Sequence, residues 1–301
     1  MLADRHDHPS KILIVRPGAL GDTILTFPLI ESIRNEHPHA RITLLGNRAY
    51  RDVLPPGIEL NPFDGPEWLW LFAADEEALP PHASRFDRAY VILKQPDRVA
   101  ANLTRAGIPN VFIASSAPEG PCHLVAHVQL GLGLPVPARR PSLLHLARPG
   151  KQDLIWLHPG SGGASKCLSL ELMIRVAETL QRRTGYGLAV TLGEDDTFVT
   201  ASDRWPQLTS LSRLEIFAGR SLPDLAANLA GASMYVGNDS GISHFAAGLG
   251  VPSLVFFVTT DPAVWSPWVP SDQLCTADLR RGVHSFATVV PFIDQLLRLA
   301  Y

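Results

Sequence analysis

Residues 11–46 read KILIVRPGALGDTILTFPLIESIRNEHPHARITLLG. The opening KILIVR is a short apolar run rich in β-branched residues, the pattern of a strand covered on both faces. A glycine-bearing loop, PGALGD, follows. Apolar residues then recur at Ile24, Phe27, Ile30 and Ile33, as along one side of a helix. Pro28 falls inside that span and predicts a first-turn or kinked geometry. His37-Pro38 closes the helix, and ARITLLG at 40–46 is a second strand. Strand, helix and strand within about 35 residues imply a parallel pair, because a chain needs a crossover to return in the same direction.

The same order restarts downstream. DLIWL (153–157) reads as a strand, HPGSGGASK as a loop and 170–183 as a helix. GLAVTL (187–192) is a strand that leads into GEDD. A helix at 222–230 with Ser221 as cap, a short strand at 234–236 and the loop GNDSG come next. A helix at 242–249, the strand VPSLVFFV (251–258) and a last helix at 291–300 complete the half. In the first half RAYVIL (88–93) and NVFIA (110–114) are further strands. Prolines 55, 56, 62, 66, 80 and 81 surround Trp68 and Trp70 and predict loops and short helices. The Trp and Arg residues of 61–105 suit either a glycan surface or a core. A proline-bearing stretch over 134–150 ends in ARPGK, the best linker candidate. The expectation is an α/β chain of two doubly wound, Rossmann-like domains, residues 1–148 and 149–290, followed by a helix at 291–301.

Composition narrows the function. The chain has 301 residues, 46% of them apolar and 18% charged, enough for two cores. The net charge of −3 argues against a dedicated nucleic-acid binder. Cys122, Cys167 and Cys275 lie far apart in no metal-ligand spacing, as expected of thiols in a reducing compartment. No apolar run approaches the ~20 residues of a membrane span. The first ten residues, MLADRHDHPS, lack a signal peptide's apolar core. A cytoplasmic protein is expected, with peripheral contact to the inner membrane surface left open.

Four loops carry candidate chemistry. PGALGD is not GxGxxG, so a dinucleotide fingerprint is unsupported. Gly18 and Gly21 let a backbone approach a ligand there. Asp22, at a strand's carboxyl end, suits either a general base or a first-turn acid on the helix dipole. In HPGSGGASK, Ser161, Gly162 and Lys166 suit phosphate, and a solvated loop reads equally well. In GNDSGISH, Asp239, Ser240 and Gly241 stand where helix N–H groups meet an anion, or serve as plain caps. His244 lies one turn on, facing the same pocket or half-buried in the helix. Glu194, in GEDD, suits ribose hydroxyls or a solvated turn, and no third acid or His is placed to complete a metal site.

Taken in order, these loops resemble the heptosyltransferases of glycosyltransferase family 9. KILIVRPGALGDTILTFPLI is similar to that family's first strand, loop and helix. WLHPGSGGASKCLS resembles its phosphate loop. The run AGRSLPDLAANLAGASMYVGNDSGISHFAAGLGVPSLVFFVTTDPAVWSPW resembles its nucleotide-sugar site. The resemblance covers 11–50 and 153–270 and hardly touches 51–150. It implies a GT-B fold, two Rossmann-like domains facing across a cleft, with the acceptor on the first and the nucleotide sugar on the second. Helix 291–301 is then expected to pack back on the first domain. The implied reaction is inverting transfer of heptose from ADP-heptose to a glycan or lipid-linked glycan such as the lipopolysaccharide core, with no cofactor and no metal. Asp22 is implied as base and Lys166 as partner of the leaving diphosphate. Ser161, Gly162, Ser240 and Gly241 are implied as phosphate contacts, Asp239 with His244 beside it as sugar contacts, and Glu194 as the nucleoside's acid. The family follows its lysine with a basic or polar residue and Trp-Pro, whereas here Lys166 precedes Cys167, Leu168 and Ser169. That departure motivates an alternative, a nucleotide-sugar-binding protein without transfer activity.

Overall fold

The structure, a computed structural model, describes residues 9–73, 85–147, 150–282 and 284–301. The chain divides into two compact units, Met1–Ala138 and Arg139–Tyr301. The first runs β1 (Lys11–Val15), α1 (Leu20–Glu36), β2 (Arg41–Gly46), β3 (Glu59–Pro62), β4 (Arg88–Leu93), α2 (Asp97–Arg105), β5 (Asn110–Ser115) and α3 (Leu124–Gly131). Its sheet has the order β3-β2-β1-β4-β5, with every pairing parallel. Ile12 to Val15 of β1 are wholly buried, as expected for a central strand covered on both faces.

Most of α1 is buried, including Ile24, Phe27, Ile30 and Ile33. Of the two geometries expected for Pro28, first-turn or kinked, the first does not occur: Pro28 sits mid-helix, and the helix runs through it to Glu36. The Pro28 carbonyl, facing the turn that follows, accepts the Ser32 hydroxyl at 3.1 Å and the Gln129 amide of α3 at 3.2 Å. Trp68 is core, buried beside Phe86 with ring centroids 6.2 Å apart.

The second unit contains β6 (Gln152–His158), α4 (Leu170–Thr184), β7 (Gly187–Leu192), α5 (Thr197–Thr200), α6 (Trp205–Thr209), β8 (Leu214–Ala218) and α7 (Leu222–Leu229). It continues with β9 (Ala232–Asn238), α8 (Gly241–Gly248), β10 (Ser253–Phe257), α9 (Pro262–Trp265), β11 (Leu274–Asp278) and α10 (Phe286–Ala300). The sheet order is β11-β10-β9-β6-β7-β8, again all parallel. Ser169 caps α4, and Gly185 ends it with φ 75°, the left-handed turn glycine adopts without strain. Both units are Rossmann-like, so the expected fold class holds.

Three details differ from the sequence expectation. The division falls at Ala138/Arg139, upstream of 148/149. The residues after it already pack on the second unit: Arg139 lies over the Trp268 ring at 4.1 Å, and Leu143, wholly buried, donates its N–H to Gly248 O at 2.8 Å. The last helix begins at Phe286, capped by Ser285. Its Val289, Ile293 and Leu296 are buried in the second core with Ile174, Met234 and Cys275. Strands β3, β8 and β11 were not expected. All three are sheet edges, where one-sided exposure breaks the apolar run that marks a central strand. Residues 1–8 of the N-terminal tail, 74–84 of the proline-broken stretch and 148–149 of the linker lie outside the described residues.

Candidate functional site

In the second unit the chain leaves β6 toward β7 and β8 on one side, and β9 toward β10 and β11 on the other. The loops after β6 and β9 therefore diverge at the carboxyl edge, the topological switch point where such sheets bind ligands. Side chains tie the two loops together. Asn238, wholly buried at the end of β9, accepts the Leu168 N–H at 2.9 Å and donates to Pro159 O at 2.8 Å and Gly160 O at 3.4 Å. Ser161 donates its hydroxyl to Asp239 O at 2.6 Å. The KCLS segment is thus part of the frame: Leu168 is buried and bonded to Asn238, and Ser169 caps α4.

The glycines of the first loop have separate reasons. A Cβ on Gly160 would lie 1.8 Å from Asp196 Oδ1, whereas Gly162 and Gly163 face open space. Lys166 ends the short 3-10 turn Ala164–Lys166 and is half-buried. It has no acidic partner within 4 Å among the described residues.

Ser240 caps α8, its hydroxyl accepting the Ser243 N–H at 3.3 Å. The first N–H groups of that helix, at Gly241 and Ile242, have no intrahelical acceptor by helix geometry. Behind them Ser243 donates to Asn238 O at 2.6 Å and receives the Tyr235 hydroxyl at 2.9 Å. Burial raises the Tyr235 pKa, which keeps the phenol protonated as that donor. Asp239 is half-buried, and its Oδ2 accepts the Thr260 hydroxyl at 2.5 Å. His244 is 6% exposed, more enclosed than Asp239, Ser240 or Gly241.

After β7, Glu194 is exposed on the turn and Asp196 is the buried acid. Asp196 is 3% exposed and accepts the Gly193 N–H at 2.7 Å. His158 lies 3.9 Å from it and donates Nδ1–H to Thr191 O at 3.0 Å. Burial pulls the His158 pKa below its ordinary value, with Asp196 opposing, so the imidazole stays neutral.

Asp22 belongs to the first unit. It occupies the third position of α1, and its Oδ2 accepts the Ala19 N–H at 3.1 Å. Its Oδ1 accepts Arg16 Nη2 at 2.5 Å. The capping function is therefore real, and the carboxylate also lines a pocket with Arg16, Thr26, Ile92 and Gln129. Arg16 is 6% exposed; burial lowers its pKa and Asp22 raises it. A Cβ on Gly18 would sit 2.6 Å from the Asp22 Cβ, so glycine there admits the carboxylate. Gly21 follows in the first turn, half-buried.

Sequence reasoning missed Arg16, Asn238, Asp196 and Thr260 as site residues. Arg16 was visible as a cation at the end of a buried strand, and Asn238 stood in a quoted motif without a role. Among the described residues no three His, Cys, Asp or Glu side chains gather as a metal cluster, and no helix is long and apolar enough to cross a membrane.

The model of glycosyltransferase family 9 (heptosyltransferase) matches residues 129–286, just over half of the chain. Lipopolysaccharide heptosyltransferase 3 of Escherichia coli is 25% identical over 153 residues, 48% of this chain and 45% of that protein. The chain thus spans less than half the length of that curated relative. Among solved structures, E. coli ADP-heptose lipopolysaccharide heptosyltransferase II superposes with TM-score 0.69 at 19% identity, covering 95% of this chain and 98% of that one. A family 9 glycosyl transferase from Veillonella parvula gives 0.73 at 18%, covering 97% and 98%. These two likenesses show the fold, GT-B.

Proposed function

Because the chain belongs to glycosyltransferase family 9, the heptosyltransferases, we propose that it moves a heptose from ADP-heptose to a hydroxyl of a lipopolysaccharide-core or related glycan, with inversion at the anomeric carbon. One observation carries the reading: at the switch point of the second unit, the loop bearing Lys166 and the N-terminus of α8 are bonded to each other through Ser161 and Asn238.

As the bond from the anomeric carbon to the diphosphate breaks, negative charge grows on the leaving ADP. The Lys166 ammonium and the N–H groups of Gly241 and Ile242 meet that charge, and fixed dipoles of this kind need no reorganisation during reaction. The open faces of Gly162 and Gly163 admit the phosphates. Ser161 and Ser240 line them, Asp239 and His244 meet the sugar, and exposed Glu194 meets the ribose. No metal is required in this step.

On the acceptor side Asp22 takes the proton from the attacking hydroxyl as its oxygen bonds to the anomeric carbon. Arg16 holds that carboxylate at 2.5 Å. The protein would then act in the cytoplasm, at the membrane surface that carries a lipid-linked acceptor.

The test is ADP release from ADP-heptose with heptose-free lipopolysaccharide core as acceptor. Asp22→Asn should lower turnover by about 10²–10⁴-fold while ADP binding by calorimetry stays unchanged. Undiminished turnover in that variant means Asp22 is not the base. A wild-type protein that binds ADP-heptose but transfers to no acceptor refutes the transfer reading.

A further inference from the structure

Asp239 has nearly all of its polar groups committed. Its N–H donates to Phe256 O at 3.0 Å, and its carbonyl accepts the Ser161 hydroxyl at 2.6 Å. Its Oδ2 accepts the Thr260 hydroxyl at 2.5 Å. Oδ1 carries no hydrogen bond among the described residues.

Thr260 is itself anchored. It lies after β10, and its neighbour Asp261 receives Arg280 Nη1 at 2.8 Å. Arg280 also grips Asp278, at the end of β11, through Nε at 2.9 Å and Nη2 at 2.7 Å. The other Asp261 oxygen, Oδ1, caps α9 through the Ala263 N–H at 2.9 Å. Side-chain contacts at Asp278, Arg280 and Asp261, and then at Thr260 one residue back along the backbone, thus connect the end of β11, through the β10 loop, to the carboxylate after β9.

An aspartate carboxyl ordinarily turns within a broad, two-fold torsional well. A hydroxyl donated to one oxygen from an anchored loop removes that freedom. Resting on the donor reading above, we propose that Thr260 is a positioning residue that sets donor-sugar specificity. By holding Oδ2 it presents Asp239 Oδ1, in one orientation, to a hydroxyl of the transferred sugar, with the Arg280–Asp261 pair as its buttress. A carboxylate with both oxygens open can accept a vicinal pair of hydroxyls. One with a single open oxygen selects on the placement of one hydroxyl and repels an acidic substituent there.

The experiment compares ADP with ADP-heptose by titration calorimetry, since only the second carries the sugar. Thr260→Val keeps the side-chain shape and removes the donor. It should leave the ADP Kd within about twofold and weaken ADP-heptose about tenfold, the effect of one hydrogen bond to a charged group. Thr260→Ser, which keeps the hydroxyl, should restore ADP-heptose binding. Equal weakening of both ligands would mark a merely structural threonine and overturn the proposal. If Asp239→Asn weakens ADP-heptose while Thr260→Val does not, the specificity role fails and the donor reading stands. If the wild-type protein binds neither ligand, the donor reading fails and takes this role with it.

Discussion

Asn238→Asp tests how the two loops of the second unit are held. Asn238 is wholly buried, with one acceptor and two donor contacts across to the loop after β6. Aspartate has the same shape and keeps an oxygen for the Leu168 N–H. It replaces the amide nitrogen with an oxygen pointing at Pro159 O and Gly160 O. The two donated bonds are worth about 1 kcal/mol each. The new oxygen must either stay charged against two carbonyls without water or take up a proton, at a further cost of about 1–2 kcal/mol. The expected loss is about 3–4 kcal/mol, a large part of the 5–15 kcal/mol typical of a folded domain. For a unit of this size that corresponds to a fall in melting temperature of about 10 °C. Asn238→Ala loses all three bonds and should fall by a similar amount. Thermal unfolding of both variants, with ADP titration below the transition, reads the stability and the placement of Lys166 together. An Asp variant that melts within about 2 °C of wild type and binds ADP normally would refute the stitching argument.

His158 and Cys167 offer two further checks. Burial depresses the His158 pKa in the folded chain, whereas the unfolded chain takes up a proton near pH 6.5. Below that pH the unfolded state binds more protons, so stability should be level above about pH 7 and decline as pH falls through about 6.5. In His158→Gln that slope should flatten, as read by denaturant midpoints across pH 5–8; an unchanged slope assigns the dependence elsewhere. The Cys167 thiol is pushed up to about 12, by burial first and by Asp196 second. In native protein at pH 8 it should resist iodoacetamide while unfolded protein reacts; peptide mapping that finds native Cys167 alkylated rapidly would contradict its enclosure.

The central strands were legible because burial on both faces leaves an uninterrupted apolar run, as in KILIVR and VPSLVFFV. Edge strands β3, β8 and β11 lack that signature, since their exposed faces carry Glu59, Glu215 and Asp278. The three glycine-bearing loops were legible because a turn from strand to helix at a ligand edge restricts residue type. Their division of labour was not. For Asp22 the structure shows the helix-capping reading, through one carboxylate oxygen, and adds an Arg16 contact to the other that the sequence did not announce. In GEDD the acid that organises the turn is Asp196, which burial and its Gly193 N–H bond separate from exposed Glu194.

By itself the sequence determined two parallel α/β units, the loops at their carboxyl edges and the family. Those follow from local periodicity and from short motifs, whose residues are neighbours along the chain. The tertiary structure alone decided which residues hold the site in shape. Ser161 reaches Asp239, Asn238 reaches Pro159, and Thr260 reaches Asp239 across gaps of 78, 79 and 21 positions. It also decided that α10 closes the second core and that residues after Ala138 travel with the second unit. Hydrogen bonds and packing between distant segments depend on where the sheet order brings strand ends together, and no local pattern encodes that order.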